Sequence, residues 1–178
     1  EWKQAGTAEL TNFRKEGSDH RPRVQVRMLY DTGGVFGLFR VEDRYVRSVQ
    51  TAFNGSVCTD SCVEFFFSPT PALPDNYFNL ELNCGGTMYF AYHGASGEVK
   101  MAKEDMDALT IAHSMPSVVD PEITTPVTWA IEYRLPLEIL RKYSPLVEPS
   151  PGGAWRANFY KCADLTSHPH WLTWAPVD

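Results

Sequence analysis

The chain has 178 residues, 43% hydrophobic and 13% aromatic, which suits one domain with a packed core and excludes a disordered chain. Sixteen Lys and Arg against 22 Asp and Glu give a net charge of −6 with no basic block, so the electrostatic footprint of a nucleic-acid binder is missing. No apolar run approaches the roughly 18 residues of a membrane-spanning helix, so neither nucleic acid nor membrane is expected as a partner.

In chain order, residues 1–22 are polar and read as an irregular lead-in with one edge strand. Glu1 is not an initiator methionine, and the expectation is a trimmed, exported chain, extracellular or periplasmic. Residues 23–30 alternate cleanly, the period-2 signature of a half-buried strand. Asp31-Thr32-Gly33-Gly34 is turn chemistry, and residues 35–41 return as the second arm of a hairpin. Residues 42–54 are charged and mixed and read as a long connection. Residues 63–67 form a strand closed off by Pro69, Pro71 and Pro74. In the next strand Tyr77, Asn79, Glu81 and Asn83 share one face, while Phe78, Leu80, Leu82 and Cys84 share the other. Gly85-Gly86 then turns into residues 87–93, a second hairpin.

Residues 94–126 carry the weakest pattern, with one faint strand at 109–112. Residues 127–135 form a long strand facing Trp129, Ile131, Tyr133 and Leu135 inward, and residues 136–143 are the one helix, opened by Pro136. Residues 155–162 are the last clear strand, followed by the aromatic loop Ser167-His168-Pro169-His170-Trp171-Leu172-Thr173-Trp174. Strands at intervals of about ten residues, with Gly, Pro, Asn and Asp turns, predict an all-β fold. The class is an antiparallel β-sandwich, jelly-roll or immunoglobulin-like, with one short helix and a single domain over 1–178.

Of the four cysteines, Cys84 and Cys162 lie in strand-like runs as small buried thiols, whereas Cys58 and Cys62 flank a turn and could bridge. A polar ladder recurs on four strands: Glu64; Asn79, Glu81 and Asn83; Glu132 and Arg134; Arg156, Asn158 and Lys161. Carboxylates, amides and cations together suit ligands rich in hydroxyls, and Trp171 and Trp174 could stack on the apolar face of a sugar ring.

The segments Asp60-Ser61-Cys62-Val63-Glu64-Phe65-Phe66-Phe67, Tyr77-Phe78-Asn79-Leu80-Glu81-Leu82-Asn83, Trp129-x-x-Glu132-x-x-Leu135-Pro136 and Trp155-Arg156-Ala157-Asn158-Phe159-Tyr160-Lys161 to Trp174 resemble, in that order, the family 9 carbohydrate-binding modules. The likeness extends to family 9-like domains of bacterial secreted proteins. It implies a sandwich that binds glucose- or xylose-based saccharides on a concave sheet face, often with structural calcium, and possessing no catalytic activity. By position it implies a hydroxyl partner at Glu64, another at Asn79, and a third at Tyr160 or Lys161. Trp171 and Trp174 are the stacking surfaces, and Arg156 and Asn158 come next. Val57 or Cys58 stands where the family has its first sandwiching tryptophan, and the family's final strand is expected either to be missing or to lie beyond residue 178. Asp31, Asp43 and Asp60 occupy turn-like places where calcium ligands could gather. Neighbouring domains of a larger secreted protein are expected as partners.

Rival readings use other residues. Glu64 with Glu81 or Glu132 would be the carboxylate pair of a glycosidase. His168-Pro169-His170 has metal-like spacing. A haem-binding electron-transfer sandwich would pair Met28 or Met88 with His93 or His170. A structural sandwich packed on a neighbouring domain would expose a large apolar patch.

Overall fold

Alternation along the chain becomes strand wherever one side chain in two can be buried. The computed structural model describes residues 1–177. Its strands are, in chain order, Ala8–Leu10 (β1), Asn12–Phe13 (β2), Arg23–Tyr30 (β3), Gly34–Asp43 (β4), Val46–Ser48 (β5), Cys62–Ser68 (β6) and Tyr77–Asn83 (β7). They continue with Met88–Gly94 (β8), Gly97–Lys100 (β9), Thr110–His113 (β10), Val119–Ile123 (β11), Val127–Pro136 (β12), Arg156–Cys162 (β13) and Trp171–Thr173 (β14). A five-stranded sheet runs β1-β3-β4-β12-β10 and a seven-stranded sheet runs β2-β14-β13-β6-β7-β8-β9, while β5 and β11 form a small third pair. The pairings are antiparallel throughout, and the fold is an antiparallel β-sandwich.

The layers meet through apolar side chains spaced two apart. Val63, Phe65 and Phe67 of β6, with Phe78, Leu80 and Leu82 of β7, face Val24, Val26, Phe39 and Val41 across the sandwich. Trp129, Ile131, Tyr133 and Leu135 of β12 are buried as expected. Rings interlock, with Phe65 stacked on Phe159 at 5.2 Å and Phe39 edge-on to Phe159 at 5.9 Å. Gly37 stands opposite Tyr133 in register, and a Cβ there would lie 2.3 Å from the phenol ring, so the missing side chain makes room for the tyrosine.

Several segments carry more structure than their pattern suggests. Residues 42–54 are not one connection, because β4 runs on to Asp43 and β5 follows the turn. Residues 94–126 hold β9, β10, β11 and a second helix, Lys103–Asp107 (α1), in addition to the expected Leu137–Arg141 (α2). The lead-in supplies two short strands instead of one. Cys58 and Cys62 are not bridged, and all four cysteines are thiols.

Lys161 is fully buried on the core side of β13, in step with Ala157 and Phe159 and not with Arg156 and Asn158. Its Nζ lies 2.7 Å from His170 Nε2 and 3.5 Å from Asp43 Oδ2, and donates to the Cys162 carbonyl at 3.0 Å. Trp129 Nε1 donates to Asp43 Oδ2 at 3.2 Å, and His20 Nε2 lies 2.7 Å from Asp43 Oδ1. Burial alone would raise Asp43, but the Lys161 charge and the His20 hydrogen bond outweigh it and hold the carboxyl well below its ordinary range. Burial, reinforced by the Lys161 charge, pushes His170 down to about 3. An ammonium can only donate, so His170 Nε2 accepts and Nδ1–H donates to the His168 carbonyl at 2.8 Å.

The unfolded chain therefore takes up a proton at His170 near its ordinary pKa of 6.5, while the folded chain waits until about 3, so stability falls as pH drops through that interval. Urea unfolding across it is expected to show a shallower pH slope in His170→Gln than in the wild type. Lys161→Met, which strands Asp43 without its counter-charge, is expected to cost about 3–5 kcal/mol at neutral pH in the same assay.

Candidate functional site

On the side of the seven-stranded sheet turned away from the core, register arranges side chains in rows. One row runs Thr173, Tyr160, Glu64, Glu81 and Tyr89 across β14, β13, β6, β7 and β8. The next runs Asn158, Phe66, Asn79 and Ala91, and beyond it Tyr77 stands opposite His93. On the other flank Trp171, Cys162, Cys62 and Asn83 make a third row. Directly opposed Cβ atoms on one sheet face lie about 4.5–5.5 Å apart, so each row is a chain of contacts.

Rings form a diagonal band over these rows. Tyr160 and Phe66 centroids are 4.7 Å apart, Phe66 and Tyr77 are 6.0 Å apart, and Tyr77 stacks on His93 at 4.5 Å. Tyr77 is 37% exposed, so the band is open to solvent at that end. Beside it, Phe66, Ser68, Tyr77, Arg156 and Asn158 border a hollow of about 230 Å³.

The acidic centre lies next to this band. Asn79 Nδ2 donates to Glu81 Oε1 at 2.8 Å, and Cys162 Sγ donates to Glu64 Oε1 at 2.8 Å. Burial, joined by the charge of Glu81, pushes Glu64 up to about 8; burial also raises Glu81, against the pull of the Asn79 hydrogen bond. Two poorly hydrated carboxyls facing each other do not ionise together. Asn79 Oδ1 and His93 Nε2 are buried without a hydrogen-bond partner among the described residues, a costly arrangement in a sheet so well satisfied elsewhere.

One end of this face is roofed. A single 3-10 turn at Val57–Thr59 lies over Cys62 and Cys162, with Cys58, Tyr89 and Trp171 packed against them. Asp164 and Leu165 donate their backbone N–H groups to the Cys58 and Thr59 carbonyls, and Trp171 Nε1 donates to Asp164 Oδ1 at 2.7 Å.

The residues singled out from sequence are thus divided. Glu64, Asn79 and Tyr160 share the outer face. Arg156 and Asn158 share it too but are engaged: Arg156 donates to the Pro74 carbonyl, and Asn158 ties down Ala175 through both its amide groups. Trp171 is a half-buried prop of the roof. Lys161 points the other way, into the core, because residue 161 is out of step with 156, 158 and 160. Trp174, 45% exposed, packs 5.8 Å from the core ring of Phe159 and so also lies on the opposite side. Glu132 and Arg134 belong to β12 of the other sheet, which shortens the polar ladder to three strands. Phe66, Tyr77 and His93 were not among the expected ligand partners. Their parity with Glu64 and Asn79 carried the signal, which the unbroken run Phe65-Phe66-Phe67 obscured.

The expected calcium carboxylates do not gather. Asp31 Oδ1 caps the N–H groups of Gly33 and Gly34, and Asp60 Oδ2 accepts from Val49, Gln50 and Asn83. Asp43 is taken by Lys161, His20 and Trp129. Calcium requires a shell of six to eight oxygens, and these carboxylates are surrounded by N–H donors and cations instead, so they do not fit it. The haem pairs separate as well: Met88 enters the core while His93 lies on the outer face, Met28 sulfur lies 3.8 Å from the Tyr133 hydroxyl, and His170 is held by Lys161. His168 stacks on Tyr45 at 3.6 Å while His170 turns inward, so the two histidines around Pro169 do not face one point.

A family model described as Carbohydrate-binding family 9 matches residues 2–178. A candidate carbohydrate-binding protein from Bacteroides uniformis has a similar structure, with a TM-score of 0.87 and 25% identity over 98% of this chain and 79% of that one. A family 9 carbohydrate-binding module from Caldicellulosiruptor kristjanssonii, solved in complex with cellotriose, aligns with a TM-score of 0.61 and 11% identity over 97% of this chain and 74% of that one. The glucose complex of a family 9 module from the same organism aligns at 0.60 and 11%, over 97% and 75%. No curated protein matches the chain.

Proposed function

Because the chain belongs to carbohydrate-binding family 9, we propose that the outer face of its seven-stranded sheet binds a glucose- or xylose-based saccharide without cleaving it. The observation that carries this reading is the pairing of Asn79 with Glu81 beside the Tyr160–Phe66–Tyr77–His93 band. Equatorial hydroxyls need in-plane donors and acceptors, and the C–H face of a pyranose needs an apolar plane. Both are supplied within one row of each other. Glu81 is the outward carboxylate and Asn79 fixes it, leaving the Asn79 carbonyl oxygen to be satisfied by a ligand hydroxyl after a small side-chain shift. Glu64 stands beside Glu81 in register, nearly covered and engaged by Cys162, a position suited to shaping the site and not to attacking a glycosidic bond.

The ring band crosses four strands, about 14 Å at the usual strand spacing, which favours an oligosaccharide over a single sugar. The family 9 cellotriose and glucose complexes from Caldicellulosiruptor kristjanssonii support the ligand class.

Calorimetric titration with glucose, cellotriose and xylotriose tests the proposal. Cellotriose or xylotriose is expected to bind more tightly than its monomer. Glu81→Gln is expected to lose a charged hydrogen bond, about 1.5–3 kcal/mol or roughly tenfold or more in affinity, and Tyr77→Ala about 1 kcal/mol. Trp174→Phe, on the other side of the sheet, is expected to bind as the wild type does. Unchanged affinity in both Glu81→Gln and Tyr77→Ala would place the ligand elsewhere, and a saccharide panel with no binding would reject the function.

A further inference from the structure

Under the roof at the end of the outer face lies a second constellation that saccharide binding does not use. Cys62 and Cys162 stand directly opposite each other on β6 and β13, and Glu64 follows Cys62 by two residues on the same side. Their sulfur and carboxylate atoms all lie within 4.8 Å of one another, and all three residues are buried. Cys58, half-buried in the overlying turn, packs against the same cluster, and its carbonyl lies 3.7 Å from Cys162 Sγ. We infer that Cys62, Cys162 and Glu64 form a binding site for a soft divalent metal ion of the zinc class, its fourth position facing the turn that carries Cys58.

The chemistry of the donors selects the ion. Two thiolates and one carboxylate suit zinc and its soft congeners and disfavour calcium or magnesium, which require oxygen shells. Tetrahedral zinc bonds of about 2.0–2.3 Å place ligand atoms roughly 3.5–3.8 Å apart, so pairs now up to 4.8 Å apart close by about 1 Å or less, while Cys162 Sγ and Glu64 Oε1, at 2.8 Å, open by a similar amount. The neighbouring polar groups also favour a cation, since Glu81 faces Glu64 in register and Asp164 is anchored in the roof by Trp171.

The contrast with the other cluster of ligand-type side chains is informative. His20, Asp43 and His170 also converge within 4.8 Å, but there the Lys161 ammonium is already in place against both Asp43 and His170. Among the described residues no hydrogen bond or ion pair brings a cationic side chain to Cys62, Glu64 or Cys162. One cluster is built around its own charge, and the other is a set of donors without a cation.

Binding needs no redox partner. The hydrated ion sheds water, the two thiol protons and any proton on Glu64 pass to solvent, and the ion takes their place. Half-burial of Cys58 leaves the roof turn as the way in.

The test uses the whole reduced, metal-stripped chain. Titration with Co²⁺ is expected to saturate at one ion per chain, with sulfur-to-cobalt charge transfer in the near ultraviolet and intense tetrahedral bands in the visible. Zn²⁺ is expected to displace the cobalt, to protect Cys62 and Cys162 from alkylation as read by peptide mapping, and to raise the unfolding temperature. Cys162→Ser and Cys62→Ser are expected to lose the charge-transfer band. Glu64→Gln, which keeps both thiols, is expected to retain sulfur ligation with weakened affinity. Absence of charge transfer in the wild type, or zinc that leaves both thiols as reactive as before, overturns the site. So does a native Cys62–Cys162 disulfide, two hydrogens lighter by mass, whose reduced form takes up no metal. These readouts rest on the thiols, whereas saccharide binding is read at Glu81 and Tyr77, so either proposal can fail alone.

Discussion

Three central strands, β13, β6 and β7, each hand alternate side chains to two surfaces, and a slip of one residue in any of them would exchange core for outer face. In β6 the odd residues Val63, Phe65 and Phe67 enter the sandwich while Cys62, Glu64 and Phe66 leave it. The same pleat in β7 buries Leu80 and presents Asn79 and Glu81. Because the strands are hydrogen-bonded in fixed register, Tyr160, Glu64 and Glu81 form one row, and the ring band falls diagonally beside it. Core and site are therefore two sides of one constraint. The apolar packing that holds Phe65 against Phe159 also sets where Glu64 stands.

Electrostatics divides the molecule into two kinds of buried polar cluster. Between the sheets, Lys161, Asp43, His170 and His20 are mutually satisfied, with the indole of Trp129 closing the last contact. A buried ion pair of this kind is costly to break and adds little net stability. Its visible consequence is positional, since it ties β4 and β13 to the loop before β14 across the interior. On the outer face Glu64 is hydrogen-bonded to Cys162 and Glu81 to Asn79, and burial raises the proton affinity of both carboxyls and of the Cys162 thiol.

The face also differs along its length. Toward Tyr77 and His93 it is open and aromatic, suited to a flat, amphipathic ligand. Toward Trp171 it is covered by the Val57–Thr59 turn, which is stitched to Asp164 and Leu165. Glu64 marks the boundary between these regions. The rings on this face, Phe66, Tyr77 and Tyr160, come from within the sheet.

Pattern along the chain is enough to give the strands with clean alternation, the inward residues of β12, the α2 helix, the sandwich class and the presence of polar side chains on β6, β7 and β13. These are local properties, because a period of two and the turn chemistry of Gly, Pro and Asp act over a few residues. Glu64 and Asn79 were legible for the same reason, as polar residues in otherwise apolar strands. Which polar residues share a surface depends instead on strand pairing and long-range packing. Lys161 and Trp174 have the right chemistry and the wrong parity, Glu132 and Arg134 sit in the other sheet, and Phe66 is hidden in a run of three phenylalanines. Arg156 and Asn158 have the right parity, but loops distant in sequence occupy their hydrogen bonds. The meeting of Cys62 with Cys162, separated by 100 positions, depends on which strands pair, and pairing is set by the packing of the whole core and not by either neighbourhood.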